Sequence, residues 1–235
     1  MSIAENVKSV QARVEAAARG TGRDPAEITL VAATKMNDAE KVREAVAAGI
    51  RACGENRVQE LCEKNEAGAY EGAALHFIGT LQKNKVKYLV GVCALIESVS
   101  SVELLEAISE RAVKRGVTQD VLLEINIADE ASKSGMRPVE LPAILEKAGS
   151  LPGVRVRGLM AIPPIAAGKG ENCVWFARMR QLFIDNSAKK YDNISMDFLS
   201  MGMSGDFEDA IREGANMVRV GTAIFGARPY PPKAD

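Results

Sequence analysis

Short apolar runs alternate with longer amphipathic stretches along this chain. The runs are bounded by Gly, Asn or Pro, and their nearly continuous apolar character is typical of parallel strands buried on both faces. Eight such strands are predicted: ITLVAATK (28–35), IRACGEN (50–56), ALHFIGT (74–80), ALIESV (94–99), VLLEINI (121–127), VRVRGLMAI (154–162), MDFLSMGM (196–203) and NMVRVGTAIFG (216–226).

The stretches between these strands show helical periodicity. They include residues 38–49, 100–116 and 138–149. In the first of them, Val42 and Val46 lie on one stripe and the charged side chains lie mostly elsewhere. Regular alternation of strand and helix predicts right-handed crossovers and a parallel sheet.

The number of strands favours a single α/β domain, residues 1–235, folded as a (β/α)8 barrel of the TIM type. Such a barrel typically fills about 250 residues. An open doubly wound sheet is the rival fold, but it calls for a G-x-G-x-x-G turn after the first strand, and ATKMNDAEK (33–41) has no glycine. An amphipathic N-terminal helix over residues 3–20 precedes the barrel, and we expect it to cover the barrel where the chain lacks a helix after strand eight.

Bulk composition narrows the possible functions. Hydrophobic residues make up 47% and charged residues 26% of the chain, which is ordinary for a globular protein with a sizeable core. The 30 basic and 31 acidic side chains leave a net charge of −1, so we expect no nucleic-acid partner. No window approaches the roughly 20 apolar residues of a membrane span, so no membrane partner is expected either.

Cysteine and histidine usage predicts no metal site. The four cysteines form no C-x-x-C pair, and His76 is the only histidine. We interpret the cysteines as reduced thiols of a cytoplasmic protein. This fits an amino terminus that lacks the apolar core of a signal peptide.

In barrels of this kind, functional residues gather at the carboxyl ends of the strands. Lys35 ends the first apolar run, next to walls of low dielectric constant. Desolvation there makes the neutral amine more accessible, and a neutral amine attacks aldehydes. The alternative is a lysine that only extends its charge from the strand end into solvent.

The ends of strands seven and eight predict a phosphate site, the usual one in this fold. Met203 and Ser204 end strand seven just before a helix, whose free N–H groups would face the barrel mouth. Gly221 permits close approach of a ligand to the backbone, and Thr222 offers a hydroxyl and an N–H. Alternatively, Ser204 only caps the helix and Gly221 only serves packing.

Two further side chains are candidates for binding a ring. Arg219 lies between two valines on a strand, so it faces the barrel interior, where a guanidinium needs an acceptor such as a ring nitrogen or the carboxylate of Glu97 or Glu124. Asn56 either hydrogen-bonds a ring hydroxyl or caps the following helix. His76 is interpreted as a core or supporting group.

Taken in order, several segments resemble the pyridoxal 5′-phosphate (PLP) homeostasis protein family. They are LVAATK, CGENRVQE, HFIGTLQKNK, INIADEASKSGM, RGLMAIPP, SMGMSGDFEDAI and MVRVGTAIFGAR. Together they span nearly the whole chain, which makes the set far more specific than any single motif. The barrel also resembles the N-terminal domain of alanine racemases and of PLP-dependent amino-acid decarboxylases of the same fold type.

The resemblance implies that PLP is the cofactor and assigns a role to each matching residue. Lys35 corresponds to the lysine that forms the internal aldimine with PLP. Ser204, Gly221 and Thr222 match the phosphate-binding segments. Arg219 matches the arginine that faces the pyridine nitrogen, and Asn56 stands where the ring hydroxyl is expected.

Two positions depart from the family pattern. Many similar sequences carry a second lysine two residues after the first, where this chain has Asn37. If that lysine helps to pass PLP to other proteins, the transfer step is in doubt here. Cys53 replaces a phenylalanine, which we expect to change packing only.

We predict a carrier rather than an enzyme, with no catalytic residues. A cation at Arg219 disfavours protonation of the pyridine nitrogen, which weakens PLP as an electron sink. Racemases of this fold use a tyrosine from a second domain as a base, and we expect no such domain because the chain ends soon after strand eight.

The expected function is PLP homeostasis inside the cell, in which a monomer buffers PLP or delivers it to apo-forms of PLP-dependent enzymes. Two alternatives stay open. One is a slow PLP-dependent amino-acid racemase, and the other is a Schiff-base aldolase that acts on a sugar phosphate through Lys35.

Overall fold

The eight predicted strands form a closed parallel barrel in strand order β1 to β8. A computed structural model describes residues 1–130, 133–164, 168–187 and 191–227. The strands are β1 Thr29–Ala33, β2 Ala52–Glu55, β3 Ala74–Phe77, β4 Leu95–Val99, β5 Gln119–Glu124, β6 Val154–Met160, β7 Ile194–Ser200 and β8 Met217–Val220.

Helices follow the strands and surround the barrel. They are α1 Ile3–Arg19, α2 Ala39–Ala47, α3 Val58–Glu66, α4 Val86–Leu89, α5 Val102–Arg115, α6 Leu141–Gly149, α7 Cys173–Ser187, α8 Phe207–Arg212 and α9 Thr222–Phe225. Short 3-10 turns lie at Pro25–Glu27, Lys83–Lys85 and Pro138–Glu140. No helix in these ranges is long and apolar enough to cross a membrane.

Pairing between the first and last strands closes the sheet and rules out the open doubly wound alternative. Thr29 stands opposite Met217, and Ala32 stands opposite Val220. Buried apolar side chains also pack against one another inside the barrel. They form one cluster of Val31, Ala52, Leu95, Leu122, Met160 and Met217, with Phe198 packed against it.

Helix α1 packs against α8 and α9, the helices on either side of β8, and covers the barrel there as the sequence predicted. The expected lack of a helix after strand eight is wrong, because β8 ends at Val220 and the short helix α9 follows it. A capping box starts this helix: the Ser2 hydroxyl accepts from the Glu5 N–H, and the Glu5 carboxylate accepts from the Ser2 N–H. Asn6 donates to the carbonyl of Ile224 in α9 over 2.9 Å, and Arg13 pairs with Glu208 in α8 over 2.8 Å.

The strands end earlier than their apolar runs. The first ends at Ala33, so Lys35 lies in the following turn rather than on the strand. Likewise, β7 ends at Ser200, three residues before Met203. Apolar character continues past the last strand hydrogen bonds because the loops at the mouth are themselves packed.

Candidate functional site

A pocket of about 220 Å³ opens at the carboxyl ends of the strands. Drug-sized ligands occupy pockets of about 300–1,000 Å³, so this one suits a smaller molecule. All the binding residues predicted from the sequence line it, namely Lys35, Asn56, Met203, Ser204, Arg219, Gly221 and Thr222. The barrel therefore brings together groups far apart in sequence, while their roles as cofactor ligands stay predictions.

The turn that carries Lys35 is held from several sides. Lys35 is half-buried, and the next residue, Met36, adopts a φ of 62°, unusual for a residue other than glycine. The Met36 N–H donates to Glu60 Oε2 over 2.8 Å, and Asn37 Nδ2 donates to the Lys35 carbonyl over 3.1 Å. Asn37, which replaces the second lysine of similar sequences, thus serves to shape this turn.

A buried polar network lies behind the turn, and the sequence analysis missed it. Glu55 is fully buried, and its Oε1 accepts from Thr34 Oγ1 over 2.6 Å, Lys64 Nζ over 2.6 Å and Tyr70 OH over 3.1 Å. Lys64 also donates to the Thr34 carbonyl over 2.9 Å. These bonds fix the residue just before Lys35.

Tyr70 keeps its proton in this network for a physical reason. Burial, and then the charge of Glu55, raise the pKa of Tyr70 far above its usual range, so its hydroxyl stays a donor. Lys64 was not singled out in the sequence, yet it is only 7% exposed. Only its position opposite Glu55 distinguishes it from a surface lysine.

Asn56 presents an unsatisfied acceptor. Its Oδ1 is buried, and within the described ranges no group donates to it. The alternative that Asn56 caps a helix is wrong, because α3 has Arg57 at its N-cap. Gly79 packs so tightly against Asn56 that a Cβ there would stand 2.1 Å from its carbonyl oxygen.

Ser204 joins the loops after β7 and β8. Its hydroxyl oxygen accepts from the N–H of Gly221 over 3.1 Å and from the N–H of Ala223 over 3.4 Å. The alternative that Ser204 caps the following helix is wrong, because α8 begins at Phe207 and has Asp206 at its N-cap. Its own hydrogen stays available for donation.

Asp206 shapes the same loop and was not predicted from the sequence. Its Oδ1 accepts from the Met203 N–H over 2.7 Å, and its Oδ2 accepts from Asn172 Nδ2 over 2.7 Å. This turn of the chain separates β7 from α8, so the helix starts later than the sequence suggested. Thr222 is exposed and begins α9.

Arg219 is 4% exposed, and its side chain both pairs internally and lines the pocket. Its Nη2 donates to the Ala161 carbonyl over 2.9 Å, its Nη1 donates to Ser200 Oγ, and Glu97 Oε2 lies 3.9 Å from Nη1. Burial lowers the pKa of Arg219, and the charges of Glu97 and Glu124 oppose that shift. The predicted interior position is confirmed, with Glu97 as the closest acid.

His76 is a supporting group in the core, as predicted. It is 6% exposed, and its Nδ1 lies 2.7 Å from Glu97 Oε1. Ser200 Oγ donates to the other oxygen of Glu97 over 2.6 Å. Burial raises the pKa of Glu97, but bonds and charges from His76, Arg219 and Ser200 outweigh it and hold the pKa below its usual range.

Apolar walls complete the pocket. They come mainly from Ile78 and Ile162, with a smaller contribution from Ala33. A search for polar residues at strand ends passes over such side chains, although a planar ring needs them on its faces.

Other reactive side chains near the barrel do not contribute chemistry to the pocket. Burial raises the pKa of Cys53 and Cys93 to about 12, which makes these thiols inert. Lys133 pairs with Glu130 over 3.2 Å and is not among the residues that line the pocket. Within the described ranges no cluster of His, Cys, Asp or Glu is suited to hold a metal ion.

Comparison with known proteins adds independent information. Residues 2–229 match the family described as "Alanine racemase, N-terminal domain". The chain is 44% identical to a pyridoxal phosphate homeostasis protein of Pseudomonas aeruginosa, covering 97% of both chains, and 41% identical to one of Aquifex aeolicus, covering 98% of this chain and 100% of that one. PipY of Synechococcus elongatus PCC7942, solved with PLP bound, superposes with a TM-score of 0.82 at 33% identity, covering 96% of this chain and 100% of that one.

Proposed function

The chain belongs to the pyridoxal phosphate homeostasis protein family, and on that premise we propose that it binds PLP in the pocket at the carboxyl ends of its strands and serves PLP homeostasis. One observation carries the proposal. A single small pocket collects an amine at Lys35, a guanidinium at Arg219 and a polar cradle around Ser204. These are the groups that an aldehyde, a pyridine nitrogen and a phosphate require.

The residues of the pocket fit this cofactor. PLP, when bound, supplies an aldehyde that reacts reversibly with primary amines. Lys35 would provide that amine, from a turn that the Glu55 network and Glu60 hold in place. Asn56 has a buried oxygen that no described group satisfies, which suits a ring hydroxyl as its donor.

The loops after β7 and β8 would hold the phosphate. Ser204 ties the two loops together and still has a hydroxyl hydrogen to donate. Thr222 lines the pocket at the start of α9 and would offer its hydroxyl and its own N–H to the phosphate. Met203 and Gly221 complete this part of the lining.

Arg219 supports a role in holding the cofactor rather than in turnover. Its positive charge disfavours a proton on any ring nitrogen that faces it, whereas a carboxylate there would favour one. Because Ser200 and Ala161 hold the guanidinium, it is not free to swing away. We therefore propose a carrier that lacks efficient catalysis, with the whole barrel as one binding unit.

The partners would be PLP and apo-forms of PLP-dependent enzymes, served by a monomer. A cytoplasmic site of action is part of the proposal. All four cysteines are free, which fits a reducing compartment.

Absorbance and mass spectrometry test the proposal directly. Protein purified with PLP is expected to show a visible band that borohydride removes, and the reduced protein should carry one pyridoxyl phosphate group on Lys35. Lys35→Ala should lose this covalent label completely. Lys41→Ala is the matched control, because Lys41 is exposed on α2 and lies outside the pocket.

Two results would contradict the proposal in different ways. If the protein is colourless and carries no label on Lys35, the proposal that it binds PLP is refuted. Alanine racemisation at enzymatic rates that depends on Lys35 would leave PLP binding intact and refute the carrier role.

A further inference from the structure

A second and larger cavity lies at the opposite end of the barrel. Its volume is about 730 Å³, and residues at the starts of the strands line it, among them Thr29, Ala74, Leu95 and Met217. Helix α1 contributes a wall through Val14. We call this space the floor cavity. None of the residues proposed to bind PLP lines the floor cavity, so the two spaces are separate.

One nitrogen of the largely buried His76 ring is available to a ligand in the floor cavity. His76 is 6% exposed and lines the cavity, and its Nδ1 lies 2.7 Å from the Glu97 carboxylate. The other ring nitrogen, Nε2, makes no hydrogen bond to any described residue. Since an ionised carboxylate only accepts, Nδ1 carries a hydrogen, and in the tautomer with its hydrogen on Nδ1 the ring offers Nε2 as an acceptor.

The other residues that line the floor cavity favour a neutral ligand, because its two arginines already have partners. Arg157 is compensated by Asp120 over 2.7 Å and by Asp197 over 2.5 Å. Arg51 donates to the carbonyls of Val46 and Ile50. The remaining residues are mainly apolar and include the half-buried ring of Phe198, while Gln11 and the exposed Glu15 add polar groups from α1.

A continuous hydrogen-bonded chain connects the two ends of the barrel. His76 bonds to Glu97 Oε1, Ser200 Oγ donates to Glu97 Oε2 over 2.6 Å, and Arg219 donates to the same Ser200 oxygen. Arg219 in turn lines the pocket at the carboxyl ends of the strands, which we call the upper pocket. A change in the hydrogen bonding of His76 therefore has a direct route to the guanidinium proposed to face PLP.

We propose that the floor cavity is a second binding site, for a small neutral molecule with an apolar or aromatic body and one O–H or N–H group that donates to His76 Nε2. Occupancy of this site alters PLP binding through Glu97, Ser200 and Arg219. That second statement rests on the proposed function, whereas binding in the floor cavity does not.

Methionine methyl groups report on the two sites separately. Met217 lines the floor cavity and Met203 lines the upper pocket. With ¹³C-methyl methionine and phenol as the probe, we expect a saturable shift of the Met217 signal with a Kd in the millimolar range. A Met217 signal that does not move, or moves without saturation, would overturn the floor site whether or not PLP binds.

Matched variants locate the probe. Ala94 is exposed and lines the cavity, so Ala94→Trp should fill it and weaken phenol binding at least tenfold. Val92 is exposed outside the cavity, so Val92→Trp should leave phenol binding within twofold of wild type. Equal binding by both variants would place phenol elsewhere and refute the assignment.

A probe without a donor tests His76. Toluene has a similar shape and no O–H, so we expect it to bind at least fivefold more weakly than phenol, since it leaves Nε2 buried and unpaired. Toluene binding as tight as phenol binding would refute the role of His76.

Coupling is measured as the Kd for PLP with and without saturating phenol. Reciprocity requires that each ligand change the affinity for the other by the same factor, and we expect at least a twofold change in wild type and none in Ala94→Trp. An unchanged Kd in wild type refutes the coupling. If PLP does not bind at all, the proposed function is refuted instead. The floor site is judged by the phenol titration alone and does not depend on that result.

Discussion

Buried charged residues show how single side chains are controlled inside this barrel. Glu97 accepts two short hydrogen bonds, from Ser200 and from the ring of His76, which favours its ionised form. Glu124 has one bond, from Ser134 over 2.7 Å, and its Oε2 is buried without a donor among the described residues. Burial therefore raises the pKa of Glu124, although Ser134 and the charge of Arg219 oppose the shift.

This raised pKa predicts a pH effect on stability. An acid whose pKa is higher in the folded than in the unfolded chain adds stability below its unfolded pKa, and that contribution is lost as the pH rises through the folded pKa. Glu124→Gln removes the titration and keeps an acceptor for Ser134. Hence the free energy of unfolding of the variant minus that of wild type should rise as the pH increases above about 4, the ordinary pKa of a glutamate.

Urea denaturation at several pH values measures that difference. Glu110→Gln is the control, because Glu110 is exposed on α5 and the same change there removes one carboxylate without any change in the barrel interior. A difference that stays flat or falls with pH would show that Glu124 is not destabilised by its burial.

At the scale of elements, the pocket depends on how closely strand ends and loops approach each other. Gly79 follows β3 and lies against the backbone of Asn56, where a Cβ would stand 2.1 Å from the carbonyl oxygen and 2.5 Å from Cα. Backbone atoms cannot move aside as a flexible side chain can. The glycine therefore determines where Asn56 is placed beside Lys35.

Gly79→Ala is expected to separate these two segments and to destabilise the fold by about 2–4 kcal/mol, the range of severe local clashes. PLP binding should weaken as well, because Asn56 moves. Denaturant unfolding and a PLP titration give the two readouts. Gly205→Ala is the control, since a Cβ there meets nothing within 4 Å, and its stability should stay within about 0.5 kcal/mol of wild type. Equal stability of the two variants would show that the Gly79 contact is not tight.

At the scale of the whole molecule, the upper pocket joins strand ends from the first to the last strand of the barrel. Lys35 and Thr222 line one pocket although nearly the whole barrel separates them in sequence. Such a pocket exists only when the barrel is closed, so a ligand that bridges it binds the folded chain and not the unfolded one. Binding must then stabilise the fold.

We expect PLP at 100 times its Kd to stabilise the protein by about 2.7 kcal/mol, which corresponds to a rise in Tm of about 5–10 °C for a chain of this size. Differential scanning calorimetry with and without PLP measures the shift. Lys35→Ala should show a smaller rise, while Lys41→Ala should match wild type. An unchanged Tm for wild type at saturation would contradict binding across the closed barrel.

The sequence by itself determined the architecture and identified the polar side chains that line the upper pocket, but not its apolar walls. Apolar runs at regular spacing leave few folds able to bury them, and a closed barrel is the one that needs no edge strand. Because function in this fold lies at strand ends, residues such as Lys35 and Arg219 were recognisable from their place in the pattern.

Only the tertiary structure decided what surrounds those residues. Glu55, Lys64 and Tyr70 lie on different elements, and their network exists because the barrel brings those elements within hydrogen-bond distance. The same holds for the chain from His76 to Arg219. Periodicity reports which face of an element is buried, but which buried polar group meets which depends on strand register and helix placement, and these are set by packing of the whole chain.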